Sequence, residues 1–391
     1  MYLSVLHRGA KPLRAWRREW LQACVITVVA VYTLNMGYLF SGTLTAVGRY
    51  KFVSAALAGD HRNGDCPTCE EQIEGNRFAG SVIGAIPIPL PVEYVLGIDQ
   101  QRSDFDRKLW SYLRGEWQRG GWWYYYLYAL AIKVPLGTWA LLGLTAWCSL
   151  FRQGYSAGWR DELVLLAPLF TILIFVSSQT GFSHHMRYVL PIFPFAFIWA
   201  SKVFRSYQLK HTKTFAVACA ALLWTLVSSL SVYPHSLSYF NELVGGPKGG
   251  HWHLGNSNID WGQDLLYLKK WLDAHPEAAH SATGPIGVSY DNILDPSVVD
   301  IEYSKPPVGP MAIEQELPPP EQQGPLPGWY AISVNHLHGR TKEYEYFLRF
   351  EPAAMAGYSM YIYHLTPDQV NPARRELGLP AVDEGEGEKQ P

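Results

Sequence analysis

The chain has 391 residues, of which 48% are apolar and 14% aromatic, with 32 Lys and Arg against 34 Asp and Glu and a formal net charge of -2. That balance excludes the basic face on which nucleic-acid binding rests, so no nucleic-acid partner is expected. A mean hydropathy of -0.05 averages two unlike parts: residues 1–232 carry long apolar runs, and residues 233–391 are polar and rich in proline. A windowed reading is therefore required.

Arg8, Lys11, Arg14, Arg17 and Arg18 precede Leu21–Phe40, 20 residues without a charge. That length crosses a bilayer, and no small-residue cleavage site follows it, so the segment reads as an uncleaved span with its N-terminus inside. Residues 41–123 form a long polar connection containing Cys66-Pro-Thr-Cys69. With no second Cys pair to complete a zinc site and no βαβ pattern around it, this motif is expected to be a local disulfide in an oxidising compartment. Cys24, Cys148 and Cys219 lie in apolar runs and read as buried small hydrophobes.

An aromatic cluster, Trp117, Trp122, Trp123 and Tyr124 to Tyr128 with Leu127 interposed, is expected at the outer membrane interface. A second span starts at or just after Lys133 and runs to Phe151. The third is Leu163–Val176, the fourth the Pro-containing Tyr188–Ala200, and the fifth Phe215–Val232. With the N-terminus inside, each short inside loop is basic: Arg152 and Arg160 in one, Lys202, Arg205, Lys210 and Lys213 in the other. The positive-inside rule then places residues 233–391 outside.

In that outer region, Ile259–Leu272 has apolar residues at helical spacing, while Pro285–Tyr290, Trp329–Val334 and Ser359–His364 read as strands. Residues 304–328 are Pro-rich and expected to be extended, and the acidic tail 382–391 is expected to be disordered. The fold expected is thus a membrane α-helical bundle of about five transmembrane helices (1–232), followed by a small extracytoplasmic α/β domain (233–381), in a multi-pass protein of the cytoplasmic membrane.

Three stretches carry candidate chemistry. His184-His185-Met-Arg187 stands at the outer entry to the fourth span, where Arg offers a fork of donors for phosphate oxygens; an interfacial anchor is the other reading. Lys133 lies among apolar residues, where a charge is costly and marks a functional position or a snorkelling side chain. In Asn256–Asp264, Asn258 or Asp260 is expected to cap the outer helix, with Asp264 in its first turn. Trp252 and Trp261 are expected in the core, with stacking on a sugar as the alternative.

The stretches Tyr112-Leu-Arg-Gly-Glu116-Trp117, Gly121-Trp-Trp-Tyr-Tyr125 with Lys133-Val-Pro-Leu-Gly137, His185-Met-Arg-Tyr-Val-Leu-Pro191, and Tyr233 to Pro247 followed by Ser257 to Leu265 resemble, in the same order, bacterial relatives of dolichyl-phosphate-mannose–protein mannosyltransferases in the GT-C superfamily. The resemblance implies transfer of a sugar from a polyprenyl-phosphate carrier to an acceptor on the extracytoplasmic side. It implies contact of Arg187, His185, His184 and Lys133 with the carrier phosphate. It also marks Asn258, Asp260, Trp261, Asp264 and Glu116 as acceptor or structural motif residues. A divalent metal ion serves some relatives, but no metal-ligand set stands out here. The family's acidic catalytic loop near its N-terminus has no counterpart in 41–123. The expectation is a chain equivalent to the C-terminal half of such an enzyme, complemented by an upstream-encoded half. The alternative is a non-catalytic membrane-anchored module that binds a glycan or a protein.

Overall fold

The computed structural model describes residues 13–59, 74–155, 158–281, 284–290 and 294–382. Helix α1 (Leu13–Gly37) leads into an irregular segment and α2 (Val92–Asp106), then a hairpin of β1 (Trp110–Leu113) and β2 (Glu116–Arg119). Helices α3 (Tyr125–Lys133) and α4 (Leu136–Phe151) follow, then α5 (Trp159–Ser178). A 3-10 stretch (Met186–Ile192) leads into α6 (Phe193–Ala200), and α7 spans Thr212–Leu230.

Four stretches are long and apolar enough to cross a membrane: Trp20–Gly37, Trp159–Ser178, Met186–Gln208 and Thr212–Leu230. A fifth is obtained if α3 and α4, bent by 108° at their junction, count as one. No side chain of α5 is buried, and Val25, Ile26, Val28 and Val29 of α1 are exposed. Helices whose apolar surface the chain leaves uncovered are compatible with a membrane protein. Cys24 of α1 and Cys219 of α7 are exposed; of Cys24, Cys148 and Cys219 only Cys148 is buried as expected. Cys66 and Cys69 lie outside the described residues.

Helices α4 and α7 pack closely because Gly137 has no side chain. A Cβ there would stand 2.2 Å from the Ala221 carbonyl oxygen. This is the close backbone approach that small residues permit between apolar helices. At the start of α5, Glu162 accepts from Trp199 Nε1 at 2.8 Å and pairs with Lys202, where a carboxylate also favours the helix dipole.

The bend before α4 has a local cause. Pro135 cannot donate to the preceding turn, so the last carbonyls of α3 need other partners. Asn241 supplies them: its backbone N–H donates to Ile132 O at 2.8 Å, and its amide to Ala131 O at 2.7 Å and Val134 O at 2.8 Å.

The C-terminal part contains α8 (Leu265–Ala274) and a four-stranded sheet of β3 (Gly287–Ser289), β4 (Gly328–Ser333), β5 (Ala354–Ala356) and β6 (Met360–Leu365), followed by α9 (Pro367–Glu376). The sheet order is β3-β4-β6-β5, with β3 parallel to β4 and the other pairs antiparallel. Alternation along the strands separates two cores. Ala331, Met360 and Ile362 face Leu265, Leu268 and Leu272 of α8. Tyr330, Ile332, Tyr361 and Tyr363 join Leu113, Tyr125, Tyr126, Val189 and Phe240. The second core is therefore shared across the boundary at residue 232. It also takes in Tyr125 and Tyr126, at 1% and 2% exposure, which had been expected at a membrane interface. Trp123 of the same cluster is 66% exposed.

The Pro-rich stretch 304–328 is irregular apart from a bridge at Ser304 and a 3-10 turn at Pro320–Gln322. It is held by Arg374 of α9, 1% exposed, whose guanidinium donates to Pro325 O and Pro320 O at 2.9 Å each, to Pro380 O at 2.6 Å, and to Gln323 O. The tail beyond Val382 lies outside the described residues.

Candidate functional site

The helix expected to begin at Ile259 starts at Leu265. Gly262 adopts φ +76°, a left-handed conformation that breaks a helix and suits glycine. Residues 256–264 are consequently a folded loop, and neither Asn258 nor Asp260 caps α8. Asp264 occupies the cap position without a side-chain capping bond. Its buried carboxylate instead accepts from Tyr358 N and Ser359 N at 3.1 Å, from Ser359 Oγ at 2.9 Å and from His235 Nδ1 at 3.0 Å. Asp260, 1% exposed, accepts from Gly262 N at 2.9 Å and from the Ser333 hydroxyl.

Asn258 is the junction of the loop. Its amide nitrogen donates to Tyr125 Oη at 2.9 Å, His184 O at 2.7 Å and Gly255 O at 2.9 Å, and its amide oxygen accepts from Met186 N at 3.0 Å. Lys133 Nζ donates to Leu237 O at 2.8 Å and to Asn258 O, and stands 4.3 Å from the centre of the Phe240 ring. Segments that are remote in sequence thus meet at one corner.

His184 and His185 lie beside this loop. His184 Nε2 bonds the Trp110 carbonyl; a carbonyl only accepts, so this nitrogen carries the proton. His185 Nδ1 bonds Ser257 Oγ. Burial lowers the pKa of both imidazoles, and the Arg187 and His184 charges push His185 further, to about 4. At neutral pH they are hydrogen-bonding groups rather than cations.

Arg187 is exposed, and its guanidinium lies 5.9 Å from the Trp261 ring centre and 5.8 Å from that of Tyr188. Among the described residues it has no acidic partner and no side-chain hydrogen bond. Trp261 is 60% exposed and Trp252 50%, so neither fills the core, as had been expected. Glu116 is exposed on β2 and makes no hydrogen bond or ion pair among the described residues. The structure therefore brings Lys133, His184, His185, Arg187, Asn258 and Trp261 to one corner, holds Asp260 and Asp264 within the protein, and leaves Glu116 on the hairpin. Among the described residues no group of three or more His, Cys, Asp or Glu is placed to hold a metal ion.

Sequence reasoning missed several polar pairings with buried or partly buried members. His251 Nδ1 and His338 Nε2 are 2.6 Å apart, and Tyr128 Oη and His253 Nδ1 2.5 Å. Asp99, 1% exposed, accepts from Val53 N at 2.5 Å and Ser54 N at 3.2 Å. Apart from Tyr128–His253, these residues lie outside every motif singled out, and no local signal marks such distant pairs.

The fold and this corner define a largely helical chain with four or five helices of membrane-crossing length and apolarity, joined through a common core to a small α/β region. Comparison with protein-family models, with curated proteins and with solved structures returned no match.

Proposed function

We propose that this chain is a membrane protein of glycosyltransferase type that receives a polyprenyl-phosphate-linked sugar at the Arg187–His185–Trp261 corner, on the extracytoplasmic side of the membrane. The observation that carries the reading is Arg187: an exposed guanidinium with no anionic partner among the described residues, at the start of an apolar stretch of membrane-crossing length. A fork of donors at that depth suits a phosphate attached to a lipid chain. Trp261 and the neutral His185 beside it would supply a flat apolar face and a hydrogen-bonding edge. Lys133 would fix the corner, since its ammonium already serves two carbonyls.

The test uses the full chain in nanodiscs with a short-chain polyprenyl-phosphate hexose. Arg187→Ala should weaken binding at least tenfold, and Arg187→Lys should recover only part of it, because a single ammonium does not reproduce the bidentate fork. Equal binding by all three proteins would overturn the reading.

A second reading, a non-catalytic module that binds a glycan or a protein, is favoured by one observation. The carboxylates of Asp260 and Asp264 are both engaged within the protein, and an acceptor hydroxyl needs a free base. Transfer of labelled sugar in membranes holding this chain alone would exclude that second reading.

A further inference from the structure

We infer that a second site, at the carboxyl ends of the parallel strands β3 and β4, binds a neutral sugar residue. Open sheets place ligands in the crevice beyond the carboxyl ends of parallel strands. Here Ser289 closes β3, and the one-turn helix Val334–Leu337 that follows β4 brings His336 against it. Beyond them opens a cavity of about 300 Å³, at the lower end of the range for small-molecule pockets.

The chemistry of its lining selects the ligand class. Tyr290, Tyr303 and Tyr344 line it, and aromatic rings offer flat apolar faces to the C–H side of a sugar ring. Asp295 and Glu343 add acceptors and Lys305 a donor. Among the described lining residues, two carboxylates against one ammonium leave no positive field for an anion. The single cation beside them also distinguishes the cavity from a cage for an ammonium ligand. Mixed donors and acceptors around apolar walls match the alternating hydroxyl and C–H surface of a hexose.

The site is built into the fold. The Ser289 hydroxyl is bonded to His336 Nδ1, while Asp295 is oriented by Ser297 N at 2.9 Å and Tyr303 Oη at 2.8 Å. Tyr290 donates to Gly262 O at 2.7 Å, next to Trp261, so the cavity adjoins the Arg187 corner through one side chain. The inference stands on the cavity alone and does not need the carrier-phosphate reading.

The experiment is saturation-transfer NMR on the full chain in nanodiscs, with methyl glucoside, galactoside and mannoside as probes. At least one should bind. Glu343→Gln, at a partly exposed position without an ion pair among the described residues, should weaken it at least fivefold, as should Lys305→Ala. Arg187→Ala should leave it unchanged. Absence of transfer from all three hexosides, binding indifferent to both cavity variants, or binding lost with Arg187→Ala would each overturn the inference.

Discussion

Lys133 and Asn258 hold one another at two levels: the Lys133 ammonium donates to the Asn258 carbonyl, and the Asn258 amide donates back to Tyr125 Oη, two turns earlier on the same helix. Removing either partner strands polar groups in a covered place. Asn258→Ala should cost about 3 kcal/mol, because three carbonyl or hydroxyl acceptors and one N–H lose their partner together. Lys133→Met keeps the stem and loses only the ammonium, so its cost should be smaller. Apparent melting temperature in detergent orders the two.

Asp264 anchors the turn between β5 and β6. Asp264→Asn replaces one acceptor oxygen with a donor that faces N–H and O–H donors, and should lower stability by about 2 kcal/mol. Gly357 at φ +62° tests the same contact from the other side. A Cβ there would meet the Asp264 carboxylate at 2.1 Å, so Gly357→Ala should destabilise through both clash and strain. Chemical denaturation of the two variants, followed by tryptophan fluorescence, checks both.

The His251–His338 pair predicts acid sensitivity. Burial lowers both, His251 to about 4 with a further push from the His253 charge, and His338 to about 3 with a further push from that of His251. Their surroundings are aromatic, Tyr112, Trp252 and Tyr361, with His253 as a neighbouring titratable group. Both are neutral when folded and take protons when unfolded at their ordinary value near 6.5. Stability is therefore full above about pH 6.5 and falls as pH drops toward 4, by about 1.4 kcal/mol per pH unit for each proton. Melting temperature across pH 4–8 reads the slope, and His338→Gln should reduce it.

Arg374 is buried among carbonyls rather than beside a carboxylate. Arg374→Leu should cost on the order of 3 kcal/mol, since four carbonyls lose a charged donor. Limited proteolysis should then cut within 304–327 faster than in the parent chain, because that stretch loses its tie to α9.

The sequence made the apolar helices legible because each needs only a long uncharged run, and two sheet strands because their alternation is local; the hairpin β1–β2 and the short β5 were not expected. Trp329–Val334 and Ser359–His364 each fall within one residue of β4 and β6. The helix start was misplaced because Ile259 continues the apolar spacing of Leu265, Leu268 and Leu272, while its burial comes from a loop. Gly262, directly after Trp261, was the available signal. The membership of the corner was partly legible in His184, His185, Arg187, Lys133 and Asn258. Their roles were not, since Asn258 finds its partners on residues up to 133 positions away. Gly255, three positions off, was the exception.

The sharp turn between α3 and α4 leaves α4 with 16 residues, about 24 Å of helix, against a hydrocarbon layer of about 30 Å. α4 alone therefore falls short of that thickness; if α3 and α4 together form one bent span, thickening the lipid would pull on the Pro135 joint, beside which Lys133 reaches Asn258. Acyl-chain length then becomes a mechanical variable acting on the same corner that Arg187 occupies, without touching a side chain in it.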